Sequence, residues 1–417
     1  MYIECMGIDV DRPSLSRRAC LLGAAAATAG SVPGLAAASS AARTEFVFRV
    51  EAGGGEDATT KIQTAIDSAV AAGGGVVHLA AGRHTITKTL TVASVERITI
   101  QGDGLSTVLL HAFDGPLLSW AASSKANEVL VRDFLVLSTG APKSRTTPVI
   151  ACQGGATFAN FSNLKLDAGT AGMGAGIQLR GVVDTCAILN CVIWRASGIG
   201  IEIGSGSEVR IIGGRVVGDD SRKPGSIGLL LAGGNGGVHV VSTDLIVVHT
   251  GIQIGQAGSP SNREVFLTHA TLDSSVYGLR QVDHTYTSIS GCWAASSDEA
   301  QILIEETASG ATLVISGGTI FNGGAYNRGG ANHGLVVKAG TFSLNGVAVR
   351  HNKGTGILVG AAVRNYMVQG CRIHNNGRAA VLAGEGYQFT GNQLSANASP
   401  MVDQGSAPKL VANNLTI

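Results

Sequence analysis

One short phrase recurs along this chain and restricts the fold more than any other feature. Alternating aliphatic residues run into a turn-forming residue: ITIQG ending at Gly102, VRIIG at Gly213, TSISG at Gly291, LVISG at Gly317 and FSLNG at Gly346. Looser copies end at Asp133, Asn163, Asn190, Ser242, His269, Gly370 and Gly391. The copies lie about 21 to 31 residues apart, the period of stacked solenoid coils. Most are followed by a second phrase, Gly then aliphatic, any, aliphatic, as in GIQL from Gly176, GIEI from Gly200, GLLL from Gly228 and GIQI from Gly251.

Each period holds about three short strands, none able to bury an apolar face alone. Successive coils must therefore stack, with backbone hydrogen bonds running between coils about 4.8 Å apart. The spacing predicts an all-β chain, a parallel β-helix of about 12 coils, on the order of 55 Å long. Composition agrees: 59 Gly, 14% charged and 45% hydrophobic residues are too apolar for disorder and too Gly-rich for a helical bundle. A formal net charge of +1 leaves no global field to draw nucleic acid or an anionic membrane. Asn322, Asn352, Asn376 and Asn397 fall at nearly the same place in four consecutive coils, where side-chain amides can bond one another in a ladder or, on a functional reading, form a sugar-binding row.

One helix precedes the repeats. In EDATTKIQTAIDSAVAAGGG, over residues 57–72, Asp57 or Thr59 can accept from the free N–H groups of the first turn. Ile62, Ala65, Ile66, Ala69 and Val70 share a face. Such a helix predicts a lid over the first coil. Residues 1–42 read as an address: Arg17 and Arg18 precede an Ala/Leu-rich run broken by Gly23 and Gly30, laid out like a twin-arginine export signal. Cleavage after Ala38 or Ala42 fits, leaving residues 43–417 as an exported β-helix domain, periplasmic or extracellular, without a membrane anchor.

The stretch from Asp57 to Leu110, DATTKIQTAIDSAVAAGGGVVHLAAGRHTI through ITIQGDGLSTVLL, resembles the opening of the pectate-lyase-like superfamily, in its rhamnogalacturonase and epimerase-like branch. It departs from that pattern in the loop AAGRH, where Ala80, Ala81 and His84 replace the usual Pro and aromatic. The polygalacturonase set is incomplete, with GDD present and no GHG or RIK. The resemblance implies a right-handed parallel β-helix, exported and acting on carbohydrate polymers, without fixing the reaction.

Function is then read from the outside of the rod. A glycan repeating about every 5 Å runs nearly in step with coils about 4.8 Å apart, so equivalent residues in adjacent coils meet successive sugars. Period-two alternation sets one outward column as Asn160, Ala187, Arg210, His239, Phe266 and Ser288. A second, past the bend, reads Lys165, Val192, Arg215, Asp244, Thr271 and Trp293. Asp219 and Asp220 follow in the loop GDDSRKPGS, while Trp194 and Asp167 occupy the two preceding coils.

Three chemistries fit a polysaccharide substrate there. A hydrolase would pair Asp219 or Asp220 with Asp244 as acid and base, about 6.5–9.5 Å apart. A β-eliminating lyase on a uronate would use Arg210 or His239 as base and Arg215 as partner for the carboxylate, with Asp219 and Asp220 as a candidate Ca²⁺ site. An epimerase would share the first step and return the proton from the opposite face. Lys165, Trp194 and Asp167 complete the substrate-binding set. Apart from that Ca²⁺, no cofactor is required and no metal-ligand spacing is present. Against these stands a non-catalytic glycan-binding or tailspike-like rod, able to pack as a homotrimer. An enzyme predicts convergence of the candidates in a groove with loops rising around it. A binding rod predicts a shallow aromatic surface with the charges paired off.

Seven Cys include two in the leader. Cys191, Cys292 and Cys371 fill one slot of their coils, a small buried position shared with Gly214, Ala270 and Gly318. Buried thiols are expected, with at most one disulfide, of which Cys186–Cys191 is the nearest pairing in sequence.

Overall fold

The computed structural model describes residues 46–417 other than 94 and 141. The export signal expected around Arg17 and Arg18, with its cleavage sites, lies outside the described residues. Within them the chain is a parallel β-helix of about 14 coils. Three columns of strands run its length. The first takes in Val47–Val50, Gly75–Leu79, Ile98–Gly102 and, coil by coil, Arg210–Ile212, Val238–Val241 and finally Lys409–Ala412. The second follows each of these around a tight corner, as in Arg215–Gly218 and Asp244–Ile246. The third carries the Gly-aliphatic phrase, as in Ile199–Ser207, Ile227–Leu231 and Thr250–Ile254.

The phrase recurs because of what its last residue does. Twelve successive corners between first and second column, from Asp133 through Asn163, Asn190, Gly213, Ser242, His269, Gly291, Gly317, Gly346, Gly370 and Gly391 to Asn413, all have φ between 49° and 66°. That left-handed conformation costs an ordinary L-residue about 1–2 kcal/mol, and Gly and Asn adopt it most readily. The Gly opening the third-column phrase has a different cause. A Cβ on Gly228 would stand 2.5 Å from the backbone oxygen of Gly251, and one on Gly251 would stand 2.3 Å from that of Gly278. Consecutive coils therefore approach there too closely for any side chain.

Inward positions stack like on like. Ile188, Ile211, Val240, Leu267 and Ile289 succeed one another in the first column, and Ile201, Leu229, Ile252, Leu279 and Ile302 in the third, all buried in one continuous core. The helix Thr59–Ala71 closes the first end of that core with Ile62 and Ile66 fully buried. Asp57 accepts from the Thr59 N–H at 2.9 Å, and Val70 is only partly buried. Gln63 shields the exposed strand edge by pairing with both backbone groups of Thr91, accepting its N–H and donating to its oxygen, each at 2.9 Å. Among the described residues no helix is long and apolar enough to cross a membrane.

The Asn ladder forms with one correction. Asn352 donates to Asn376 at 2.9 Å and Asn376 to Asn397 at 3.0 Å. Asn322 stands one residue earlier, at a left-handed corner of φ 64°, and Gly323 holds the ladder slot, donating its N–H to the Asn352 side chain. Another ladder runs from Asn235 through Asn262 to Asp283, with steps of 2.8 Å. Replacing Asn376 with alanine strips the Asn352 backbone N–H of its acceptor and should cost on the order of 2–4 kcal/mol. Asn322→Gly, which suits its corner, should leave the denaturation midpoint nearly unchanged.

The five Cys among the described residues are all free and buried, so no Cys186–Cys191 disulfide forms. Burial pushes the Cys186 and Cys191 thiols up to about 11, which keeps them protonated and unreactive.

Candidate functional site

The outward columns occupy the expected register. Arg210 lies beside His239, which is followed by Phe266 and Ser288. Lys165, Val192, Arg215, Asp244, Thr271 and Trp293 succeed one another in the second column. Asp167 and Trp194 are likewise neighbours.

The chemistry of these residues is largely committed within the protein. Asp244 takes two bonds from Arg215, at 2.9 and 2.7 Å. Asp167 is held by Arg195 at 3.1 Å and Lys165 at 3.4 Å. Burial opposes ionisation of Asp167, but the Gly169 N–H, Arg195 and Lys165 together hold its carboxyl below the usual range. Asp219 accepts from both the N–H and the hydroxyl of Ser221, closing its own turn, and Asp220 sits at a left-handed φ of 63°. Arg210 leans toward Glu208 at 3.4 Å. His239 stacks on Phe266 with ring centroids 4.9 Å apart, and Tyr286 follows at 6.3 Å. A corner at Gly213 and Ser242 separates Arg210 and His239 from Arg215 and Asp244.

Loops rise elsewhere, along the edge where the second column turns into the third. Arg145, in the segment before Pro148–Cys152, donates from Nε and Nη2 to the Ser197 carbonyl at 3.0 and 2.7 Å, and from Nη2 to that of Pro224 at 3.4 Å. Residues 219–226 are strapped down by Arg222, which pairs with Asp298 at 2.5 Å; both side chains are mostly buried, 13% and 9% exposed. Residues 322–332 fold back from the other direction. Tyr326 accepts from the Ser274 hydroxyl at 3.3 Å, and the Ala331 N–H donates to Glu299 at 3.2 Å.

Beneath this wall lies a half-buried cluster of three side chains, His249, Tyr277 and Arg280, on two adjacent coils. His249 directly precedes the strand Thr250–Ile254, and its ring meets that of Tyr277 edge-on with centroids 5.6 Å apart. The Arg280 guanidinium lies 5.7 Å from the centre of the Tyr277 ring. Arg280 is fixed by Glu305 at 2.8 Å, which Lys338 also binds at 3.0 Å, so the triad retains one positive charge. Burial, reinforced by the charges of Arg280 and Arg222, lowers the His249 pKa, so its imidazole is neutral at neutral pH. The Nδ1 of that ring faces the Thr250 hydroxyl at 3.1 Å, leaving Nε2 outside the hydrogen bonds found among the described residues. Burial and the nearby Glu299 raise the Tyr277 pKa and keep its hydroxyl protonated.

This arrangement supplies a neutral base, a protonated acid and a cation within neighbouring coils. The sequence pattern hides Arg280 because the outer positions of the third column look like isolated polar residues in aliphatic phrases. The available signal was their succession, Gln178, Glu202, Leu230, Gln253 and Arg280, with four polar residues among five coils. Among the described residues no three His, Cys, Asp or Glu side chains gather as metal ligands would.

No family model matches the chain, and no curated protein matches it in sequence. Solved structures do resemble it. The A-module of the Azotobacter vinelandii mannuronan C-5 epimerase AlgE6 superposes with a TM-score of 0.54 at 12% identity, covering 87% of this chain and 96% of that one. The N-terminal fragment of bacteriophage Phi29 gene product 12 gives 0.61 at 12% identity over 87% and 69% of the two chains. The Dettilon tailspike gives 0.50 at 14% over 85% and 68%. At such identities the likeness is one of fold: the chain is a parallel β-helix that shares its architecture with an epimerase module and with bacteriophage proteins.

Proposed function

We propose that this protein removes the proton next to the carboxylate of a uronate in a polysaccharide lying along the third column. This is the first step of both β-elimination and epimerisation. The observation that carries the reading is the His249, Tyr277 and Arg280 cluster beneath the loop wall. His249 Nε2 takes the C5 proton, and the electron pair moves into the carboxylate as an enolate, stabilised by the Arg280 guanidinium. Elimination then breaks the C4–O4 bond, with the Tyr277 hydroxyl protonating the leaving oxygen. Epimerisation instead returns a proton to C5 from the opposite face. The opening over residues 57–110 supports placement beside the rhamnogalacturonase and epimerase-like proteins, and export would bring the enzyme to such polymers.

The test is incubation with polygalacturonate, alginate and neutral glucans, following ultraviolet absorbance, reducing ends and C5 proton exchange in deuterated water. Absorbance with new ends identifies elimination, and exchange alone identifies epimerisation. Reducing ends without absorbance would mean hydrolysis and overturn the reading, as would no change in any uronate polymer. Because only the neutral imidazole acts and its pKa is lowered, the rate should already be at its plateau at neutral pH. It should fall only below the ordinary histidine range, about 6.5. Arg222→Gln should move that acid limb upward.

A further inference from the structure

We propose that a cleft further along the same face is a subsite for the carboxylate of a second uronate, three coils from the reacting sugar. This rests on the reading that a uronate polymer lies along the third column. The cleft has a volume of about 200 Å³ and lies between Arg145, Arg180 and Glu202, with Ala175, Gly198 and Ile199 among its lining. Glu202 is deeply buried for a carboxylate, its side chain 8% exposed.

Its two oxygens are already taken: Arg180 donates from Nε to one at 2.8 Å, and Gln178 donates to the other at 2.7 Å. Gln178 in turn accepts from Gln153 at 2.8 Å, so the network is fixed from behind. The charges that line the cleft are two guanidiniums against one carboxylate, leaving one positive charge in excess. In both arginines Nη1 takes no part in the hydrogen bonds found among the described residues, whereas Nε and Nη2 are anchored. An apolar lining with a cationic rim matches the face of a pyranose ring carrying an anionic substituent.

The register sets the spacing. Glu202, Leu230, Gln253 and Arg280 succeed one another, three coil steps in all, or about 14 Å. At about 5 Å per sugar, the cleft meets the third residue from the one at Arg280. Dimers cannot reach both places, whereas tetramers and longer chains can.

The test is calorimetry on the full chain carrying His249→Ala, with polygalacturonate and mannuronate oligomers of two to six residues and a sulfated neutral hexamer. Tetramers should bind about tenfold more tightly than dimers. Arg145→Met should remove that gain, bringing tetramer affinity down to that of the dimer. Thr146 also lines the cleft, and Thr146→Leu, which fills it and spares both guanidiniums, should do the same, which guards against a folding defect from losing the Arg145 loop bonds. Equal affinities for dimer and tetramer would overturn the subsite and leave the reaction reading intact. Preference for the sulfated hexamer would overturn the assignment to a carboxylate. Absence of binding by every uronate oligomer, together with no turnover by the unsubstituted protein, would sink both readings.

Discussion

His249→Ala should lower turnover of a uronate polymer by about 10²- to 10⁴-fold, the usual contribution of a positioned general base. The imidazole sits at the start of a strand, half-buried, with one nitrogen turned to the Thr250 hydroxyl and its ring against Tyr277. Its removal takes away the proposed proton acceptor while the buried core residues Leu245 and Ile252 stay in place. The unfolding midpoint should therefore stay close to that of the parent. Tyr277→Phe separates the two outcomes of the enolate: it should suppress elimination while C5 exchange into deuterated water persists. Loss of turnover on His239→Ala with retention on His249→Ala would move the reaction to the first column and sink the proposal.

Gly251→Val should destabilise the rod by about 3 kcal/mol or more, the upper range of overpacking. The new Cβ would come 2.3 Å from the Gly278 backbone oxygen, and a coil-to-coil ladder cannot yield locally without breaking its own hydrogen bonds. Gly346→Asn is the contrasting case. That position has φ 62° with open space around a Cβ, and Asn163, Asn190 and Asn413 fill the same corner in other coils. It should fall within about 1 kcal/mol of the parent. Denaturant midpoints measured side by side would distinguish a glycine needed for close approach from one needed for backbone handedness.

Much of the fold was legible because each coil repeats its own constraints. Aliphatic alternation and the corner residue were enough to place Arg210 beside His239 and Arg215 beside Asp244. The extra coils at the two ends escaped notice for the same reason. Val47–Val50 and Gly75–Leu79 precede the first left-handed corner of the series, and Lys409–Ala412 leads into Asn413 without the full phrase. The face proposed to act was harder to read. His249 and Tyr277 precede their aliphatic runs rather than alternating within them, so period-two counting passes over both. The loops that wall them in gain meaning only from contacts such as that of Arg222 with Asp298, 76 residues apart. Nothing in local spacing encodes such a reach.

That strap changes how the rod should come apart. Stacked repeats ordinarily interact only with their nearest neighbours, so an end can fray one turn at a time. The Arg222 clasp joins turns that are not adjacent, closing a loop of chain that must open as a block. Peeling from the C-terminal end should thus stall at the turn that holds Asp298, leaving the segment that carries His249 and Tyr277 folded while the turns beyond it exchange their amide protons.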